Sequence, residues 1–317
     1  MSYRAGDWVE VRSAEEILRT LDDKAAINHM PFMPEMLQYC GKRFQISASA
    51  HKSCDTIYKF KGRKLEDTVH LDGLRCGGAA HGGCQAACLL FWKNAWLKPA
   101  KAPGNETALP VPAIAKVDTT LLDKATRLPP TSPQDTEVRY SCQATRVVDA
   151  STPLAWNEPT QYLKDLTSGN VSLWTMLRFM LLAGYNALMR RHWRGRPYPY
   201  IRGLAADKTP TESLNLQVGE LVEVRSKAEI MQTINAKQRN RGMWFDVEQV
   251  PHCGKRYRVQ ARVDRIINEQ TGAMMTMANP CIILAGVACS GCYSRDRLFC
   301  PRNIYSYWRE IWLKRVQ

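Results

Sequence analysis

The sequence predicts a mainly β protein with short helices, built as two tandem small barrels joined by a linker and an amphipathic helix. Three observations predict it. Four sequence blocks occur twice in one order; each copy carries short alternating apolar runs after tight turns; and the residues between the copies differ in composition from both. Gly6-Asp7-Trp8-Val9-Glu10-Val11-Arg12-Ser13 recurs as Gly219-Glu220-Leu221-Val222-Glu223-Val224-Arg225-Ser226, and Cys40-Gly41-Lys42-Arg43-Phe44 as Cys253-Gly254-Lys255-Arg256-Tyr257. Leu71-Asp72-Gly73-Leu74-Arg75-Cys76 pairs with Leu284-Ala285-Gly286-Val287-Ala288-Cys289. Phe91-Trp92-Lys93-Asn94-Ala95-Trp96-Leu97-Lys98 pairs with Tyr307-Trp308-Arg309-Glu310-Ile311-Trp312-Leu313-Lys314. Four blocks in one order point to a tandem duplication.

Within each copy the elements follow in turn. Trp8, Val9 and Val11, like Leu221, Val222 and Val224, read as a strand after a glycine turn. Ser13 with Glu16, and Ser226 with Glu229, have capping-box spacing and start a short helix whose apolar face is Ile17, Leu18 and Leu21. Tyr257, Val259, Ala261 and Val263 alternate as a second strand. A third ends at Cys76 or Cys289, and the Trp/Leu segment closes the module. Short strands around a small core suggest an SH3-like barrel, similar to the KOW type in its opening strand. The expected boundaries are residues 1–98 for the first cysteine-rich β-module, 99–170 for a Pro-rich linker and connecting segment, 171–215 for an apolar helix with a basic tail, and 216–317 for the second module.

The linker is densest in Pro, Ala and Thr over residues 99–137, including Pro99, Pro103, Pro110, Pro112, Pro129, Pro130 and Pro133, and a strand is expected near Val138–Val148. Leu173 to Met189 is apolar apart from a few residues, with Arg178 near its middle, and Arg190-Arg191-His192-Trp193-Arg194-Gly195-Arg196 follows. That length barely spans a bilayer, and spanning would put two homologous thiol modules on opposite sides of it. On a helical projection Ser172, Thr175, Arg178, Asn186 and Arg190 form a stripe, with Trp174, Leu177, Met180, Leu181 and Leu188 over much of the rest. Two readings stay open, an interfacial helix on anionic lipid and a helix docked in a core or on a partner.

The formal charge of +14 favours an anionic partner without choosing among nucleic acid, membrane and acidic protein. A hydrophobic fraction of 45% argues against wholesale disorder. The N-terminus shows no apolar signal segment, so the eleven cysteines are expected in a reducing, cytoplasmic setting, where thiols serve metals or redox chemistry. The first module carries Cys40, Cys54, Cys76, Cys84 and Cys88 with His81 nearby; the second carries Cys253, Cys281, Cys289, Cys292 and Cys300. All eleven side chains are candidate metal ligands. Cys40 corresponds to Cys253, Cys76 to Cys289 and Cys84 to Cys300, while Cys54 and Cys281 are candidate fourth thiolates. Four thiolates suit tetrahedral Zn²⁺ or an iron–sulfur cluster, with zinc placed slightly ahead. Glycines between Cys76 and Cys84 let the backbone turn tightly around sulfur. Cys289-Ser290-Gly291-Cys292 is a CxxC knuckle that also suits a redox dithiol. The bland alternative is buried thiols packed as small hydrophobes, which explains Cys142 well.

No phosphate-binding glycine loop, GxSxG or HExxH occurs. A Cys76 or Cys84 nucleophile with His81 has the residue types but nothing in the sequence to orient them. Aromatics among the arginines of residues 193–202 leave RNA binding open. Met33-Pro34-Glu35-Met36-Leu37-Gln38-Tyr39-Cys40-Gly41-Lys42-Arg43, His81-Gly82-Gly83-Cys84-Gln85 and Leu298-Phe299-Cys300-Pro301-Arg302 resemble a bacterial family with tandem cysteine-rich SH3-like modules, associated with polysaccharide or natural-product gene neighbourhoods. The resemblance implies no reaction and no catalytic residue. The sequence therefore favours a cytoplasmic, membrane-peripheral metal-binding protein that organises a protein partner or an anionic surface. An iron–sulfur redox component and an RNA-binding protein are the alternatives.

Overall fold

The opening strands form as the alternation requires, with Val9 and Val11 buried in one copy and Val222 and Val224 in the other. A computed structural model describes residues 3–58, 61–102, 118–130, 136–192 and 195–316 of the chain. They divide into two compact units. The first comprises Met1–Leu173 with Ile266–Met275 and Phe299–Arg302, and the second Trp174–Arg265, Thr276–Leu298 and Asn303–Gln317. The protein is mainly β, with many short antiparallel strands and short helices.

In the first unit a curled five-stranded sheet runs in the order Trp92–Lys93, Thr68–Leu71, Arg43–Ser49, Trp8–Val11, Leu97–Pro99. The second unit repeats that plan with Tyr305–Trp308, Ile282–Ala288, Arg256–Arg262, Leu221–Val224, Leu313–Arg315. Even the registers correspond. Trp8 pairs with Gln45 and Glu10 with Arg43, as Leu221 pairs with Arg258 and Glu223 with Arg256. The register shift between Ile46 and Ala48 recurs between Val259 and Ala261. On the outer face Glu10 joins Arg43 and Lys98 across three strands, and Glu223 joins Arg256 and Lys314. Both capping boxes form as the spacing predicts, on helices Ala14–Leu18 and Lys227–Met231.

Each sheet closes over its own aromatic core. Phe32 meets Trp96 edge-on at 5.2 Å between ring centroids, and Phe245 meets Trp312 at 5.0 Å. Trp92 and Trp308 are fully buried beside them. Such edge-to-face pairs add attraction between ring edge and ring face to the burial of large apolar surfaces.

Two expectations between the copies change. The strand near Val138–Val148 is replaced by single bridges at Arg139 and Tyr140 and a helical turn, Gln143–Arg146. Gln143 decides this: buried, it donates to the carbonyls of Pro31 and Phe91 and accepts from the Phe91 amide, which fixes the backbone against the first core. Part of the expected linker is likewise structured, as helix Thr120–Ala125 with Leu122 buried. Pro103, Pro110, Pro112, Pro133, Trp193 and Arg194 lie outside the described residues.

The long helix runs Leu173–Arg191, and no helix among the described residues is long and apolar enough to cross a membrane. Its expected polar stripe divides. Asn186 faces inward and is buried, its amide donating to the Tyr198 carbonyl and accepting from the Tyr198 amide, both at 2.6 Å, whereas Arg178 and Arg190 are exposed. A buried amide satisfied in both directions offsets its desolvation.

His70 is fully buried on the Thr68–Leu71 strand, with Nδ1 2.9 Å from the Leu90 carbonyl. Burial pushes its pKa down to about 4 from 6.5. Below pH 6.5 the unfolded chain takes up a proton that the folded one refuses, so this stabilisation is present above pH 6.5 and lost toward pH 4. Urea titrations should show up to about 3 kcal/mol of acid destabilisation from this residue, absent in His70→Leu. Phe32→Ala and Phe245→Ala should each cost ~3–5 kcal/mol in the same assay.

Candidate metal centre

The site is assembled from two loops of the first unit. Pro34 starts the 3₁₀ turn Pro34–Tyr39, placing Glu35 in its first turn above the core residue Met36. The chain leaving Thr68–Leu71 turns at Gly73 and makes a bridge between Arg75 and Leu89, and the Cys76 amide donates to the Cys88 carbonyl at 2.8 Å. Residues 77–87 thus form a loop pinned at its neck. Within it Gly78 has φ +72°, and a Cβ there would lie 2.0 Å from the Cys84 carbonyl oxygen; at Gly82 a Cβ would strike the Tyr140 ring at 2.6 Å. At Gly78 and Gly82 both the left-handed backbone and the lack of room call for glycine, whereas a Cβ at Gly77 would meet nothing within 4 Å.

The turn Ala79–His81 lowers the His81 ring into the interior, 1% exposed. Cys76 Sγ lies 3.2 Å from His81 Nε2 and 3.2 Å from Glu35 Oε1, and His81 Nδ1 is 3.6 Å from the same carboxylate oxygen. Among the described residues, Glu35, Cys76 and His81 are the group of three whose donor atoms all fall within 4.8 Å of one another. Burial holds the Cys76 thiol far above its ordinary pKa, with Glu35 adding repulsion, and lowers that of His81 against the pull of Glu35. Glu35 Oε2 and His81 Nδ1 are buried without a hydrogen-bond partner among the described residues. Such orphaned polar atoms cost stability unless something binds them.

Beside this group is a cavity of about 30 Å³ whose lining includes Cys76, His81, Cys84, Cys88, Cys142 and Glu269. Burial raises Cys88 to about 12 and Cys142 to about 11. Cys84 Sγ accepts from the Ile267 amide at 3.4 Å, and a fully buried Arg302 acts in the opposite sense to burial on Cys88. Arg302 is itself held by Glu269, by the Thr56 hydroxyl and by the Cys54 carbonyl.

Of the sequence-predicted ligands, Cys76, His81, Cys84 and Cys88 come together. Cys40 does not join them: it ends the Pro34–Tyr39 turn and packs on the core, its thiol raised to about 11 by burial, as is that of Cys253. Cys54 is buried at the end of strand Lys52–Cys54, outside the cavity lining. Cys253, Cys281, Cys289 and Cys292 belong to the second unit and Cys300 to the first. Cys281 is buried with its thiol raised to about 12. Two site residues escaped the sequence reading. Cys142, taken for an isolated packing thiol, lines the cavity; Glu35 supplies the carboxylate. Only Glu35 left a signal, since it recurs in register as Glu248.

That counterpart is instructive. Glu248 is buried in the equivalent turn Val247–His252, but its oxygens accept from the Ser290 hydroxyl at 2.7 Å and the Tyr293 amide at 2.8 Å. The second unit satisfies with protein donors the carboxylate that the first leaves half unsatisfied. No family model, curated protein or solved structure matches the chain.

Gly78→Ala should lower stability by about 2 kcal/mol or more, through the left-handed backbone and the clash with Cys84, as read by thermal melting. Gly73→Ala, where a Cβ meets nothing within 4 Å, should cost about 1 kcal/mol.

Proposed function

We propose that the first unit is a zinc-binding module in which Cys76, His81 and Glu35 hold the ion and Cys88 completes the tetrahedron. The observation that carries this reading is the convergence of three unlike donors around buried atoms left without partners. A sulfur, an imidazole nitrogen and a carboxylate oxygen are the donor types zinc accepts in four-coordinate sites. Cys88 is chosen because its carbonyl accepts from the Cys76 amide at 2.8 Å, tying the two backbones together, and both residues line the same cavity. The metal's part is structural. It ties the glycine loop to the Pro34–Tyr39 turn, and the dication offsets most of the negative charge of the carboxylate and the two thiolates, so that binding free energy becomes folding free energy. The second unit, with Glu248 satisfied internally, keeps the sheet without this ion.

A second reading rests on a different observation: four thiols, Cys76, Cys84, Cys88 and Cys142, line one cavity, and an amide already donates to one of the sulfurs. Cysteine ligands in that number, with hydrogen bonds to sulfur, suit an iron–sulfur cluster.

Metal analysis of anaerobically purified protein distinguishes them. The zinc reading expects a colourless protein with about one zinc per chain. Glu35→Gln and His81→Ala should weaken zinc by more than the ~10–100-fold typical of losing an outer-shell partner, while Glu248→Gln and Cys142→Ser leave zinc content unchanged. Brown protein carrying iron and sulfide, lost in Cys142→Ser, would establish the cluster instead. Because Cys76 must lose its proton to bind, zinc affinity should rise with pH and binding should release protons to the buffer.

A further inference from the structure

The long helix Leu173–Arg191 presents to solvent the residues that a buried helix would hide. Trp174 is 78% exposed, Leu181 75% and Leu188 57%, with Leu177 and Tyr185 about half exposed. Their spacing of three and four residues sets them on one narrow stripe, a helix of this length extending roughly 28 Å. The opposite side carries Met176, which is buried, and Phe179, which packs edge-on against Tyr293. Both sides are therefore apolar, and only the inner one is covered by protein.

The charge around this stripe has one sign. From Leu166 to Ala206 the sequence contains no Asp or Glu but has Arg178, Arg190, Arg191, Arg194, Arg196 and Arg202. Arg178, Arg190, Arg191 and Arg196 are exposed. We propose that this face docks on an anionic lipid surface, the helix lying in the membrane plane with Trp174, Leu177, Leu181, Tyr185 and Leu188 in the headgroup–acyl boundary and the arginines on lipid phosphates. Charge selects this occupant. A second copy of the helix would bring arginines against arginines with no acid on either helix to offset them, whereas an anionic bilayer answers the apolar stripe and the basic flank together. Trp and Tyr on the stripe have the amphipathic rings that settle at headgroup depth. The reading is independent of the metal centre.

Co-sedimentation of the full chain with vesicles tests it. Phosphatidylcholine vesicles containing phosphatidylglycerol should bind the protein, and pure phosphatidylcholine vesicles should bind it at least tenfold more weakly, with the difference shrinking as salt is raised. Leu177→Asp with Leu181→Asp should reduce binding at least tenfold, and Arg190→Glu with Arg191→Glu should reduce it on anionic vesicles only. These positions are exposed, so the variants should melt like the parent, and the arginine pair supplies a test that leaves the apolar stripe intact. Absence of binding to anionic vesicles overturns the proposal. So does a dimer that dissociates in Leu177→Asp/Leu181→Asp without any vesicle binding, which would assign the stripe to a second copy. Salt-sensitive RNA binding without vesicle binding overturns it in favour of nucleic acid.

Discussion

The pairing of the opening strand with both a near and a far neighbour is the constraint on which each unit depends. Trp8–Val11 bonds to Arg43–Ser49 on one side and to Leu97–Pro99 on the other, and Leu221–Val224 does the same between Arg256–Arg262 and Leu313–Arg315. The first residues of a module are thereby fixed to its last. Val9 and Val11 point into the core from this strand while Glu10 ties three strands together outside, so slipping by one residue would expose the valines and bury the carboxylate. Register, core and outer ion pairs are set together, which is why they recur in both units.

That shared frame makes the difference between the units informative. Both place a carboxylate in a 3₁₀ turn, before Arg43–Ser49 in one and Arg256–Arg262 in the other. Cys289 directly follows strand Ile282–Ala288, whereas the strand expected to end at Cys76 stops at Leu71 and Cys76 lies in the loop beyond it. In the second unit a serine hydroxyl and a backbone amide complete the carboxylate's hydrogen bonding. In the first, a thiol and an imidazole face it, and an oxygen and a nitrogen have no partner among the described residues. On one strand plan, then, the two units satisfy equivalent carboxylates unequally.

The cysteines divide by surroundings rather than by position in the repeat. Cys40 and Cys253 match across the copies, yet each packs against its own apolar core, where burial keeps a thiol protonated. Cys142, which has no counterpart, reaches the cavity because Gln143 clamps the neighbouring backbone to Pro31 and Phe91. Likewise, the sequence sets Asn186 on a polar stripe of the long helix, with the apolar face either on lipid or against protein. Asn186 instead turns inward because the Tyr198 backbone satisfies it, leaving the Trp174–Leu188 stripe outside.

The sequence by itself determined the mainly β character, the short capped helices and the recurrence of one strand plan, because these follow from local periodicity, turn residues and capping spacing. It also singled out the glycine loop between Cys76 and Cys84, where Cys76 and His81 come together with Glu35. Tertiary structure alone decided which thiols meet, that Glu35 joins them, and which face of the long helix is left to solvent. Those outcomes depend on contacts between residues far apart in the chain, and on whether a buried polar atom finds a donor nearby, neither of which spacing encodes.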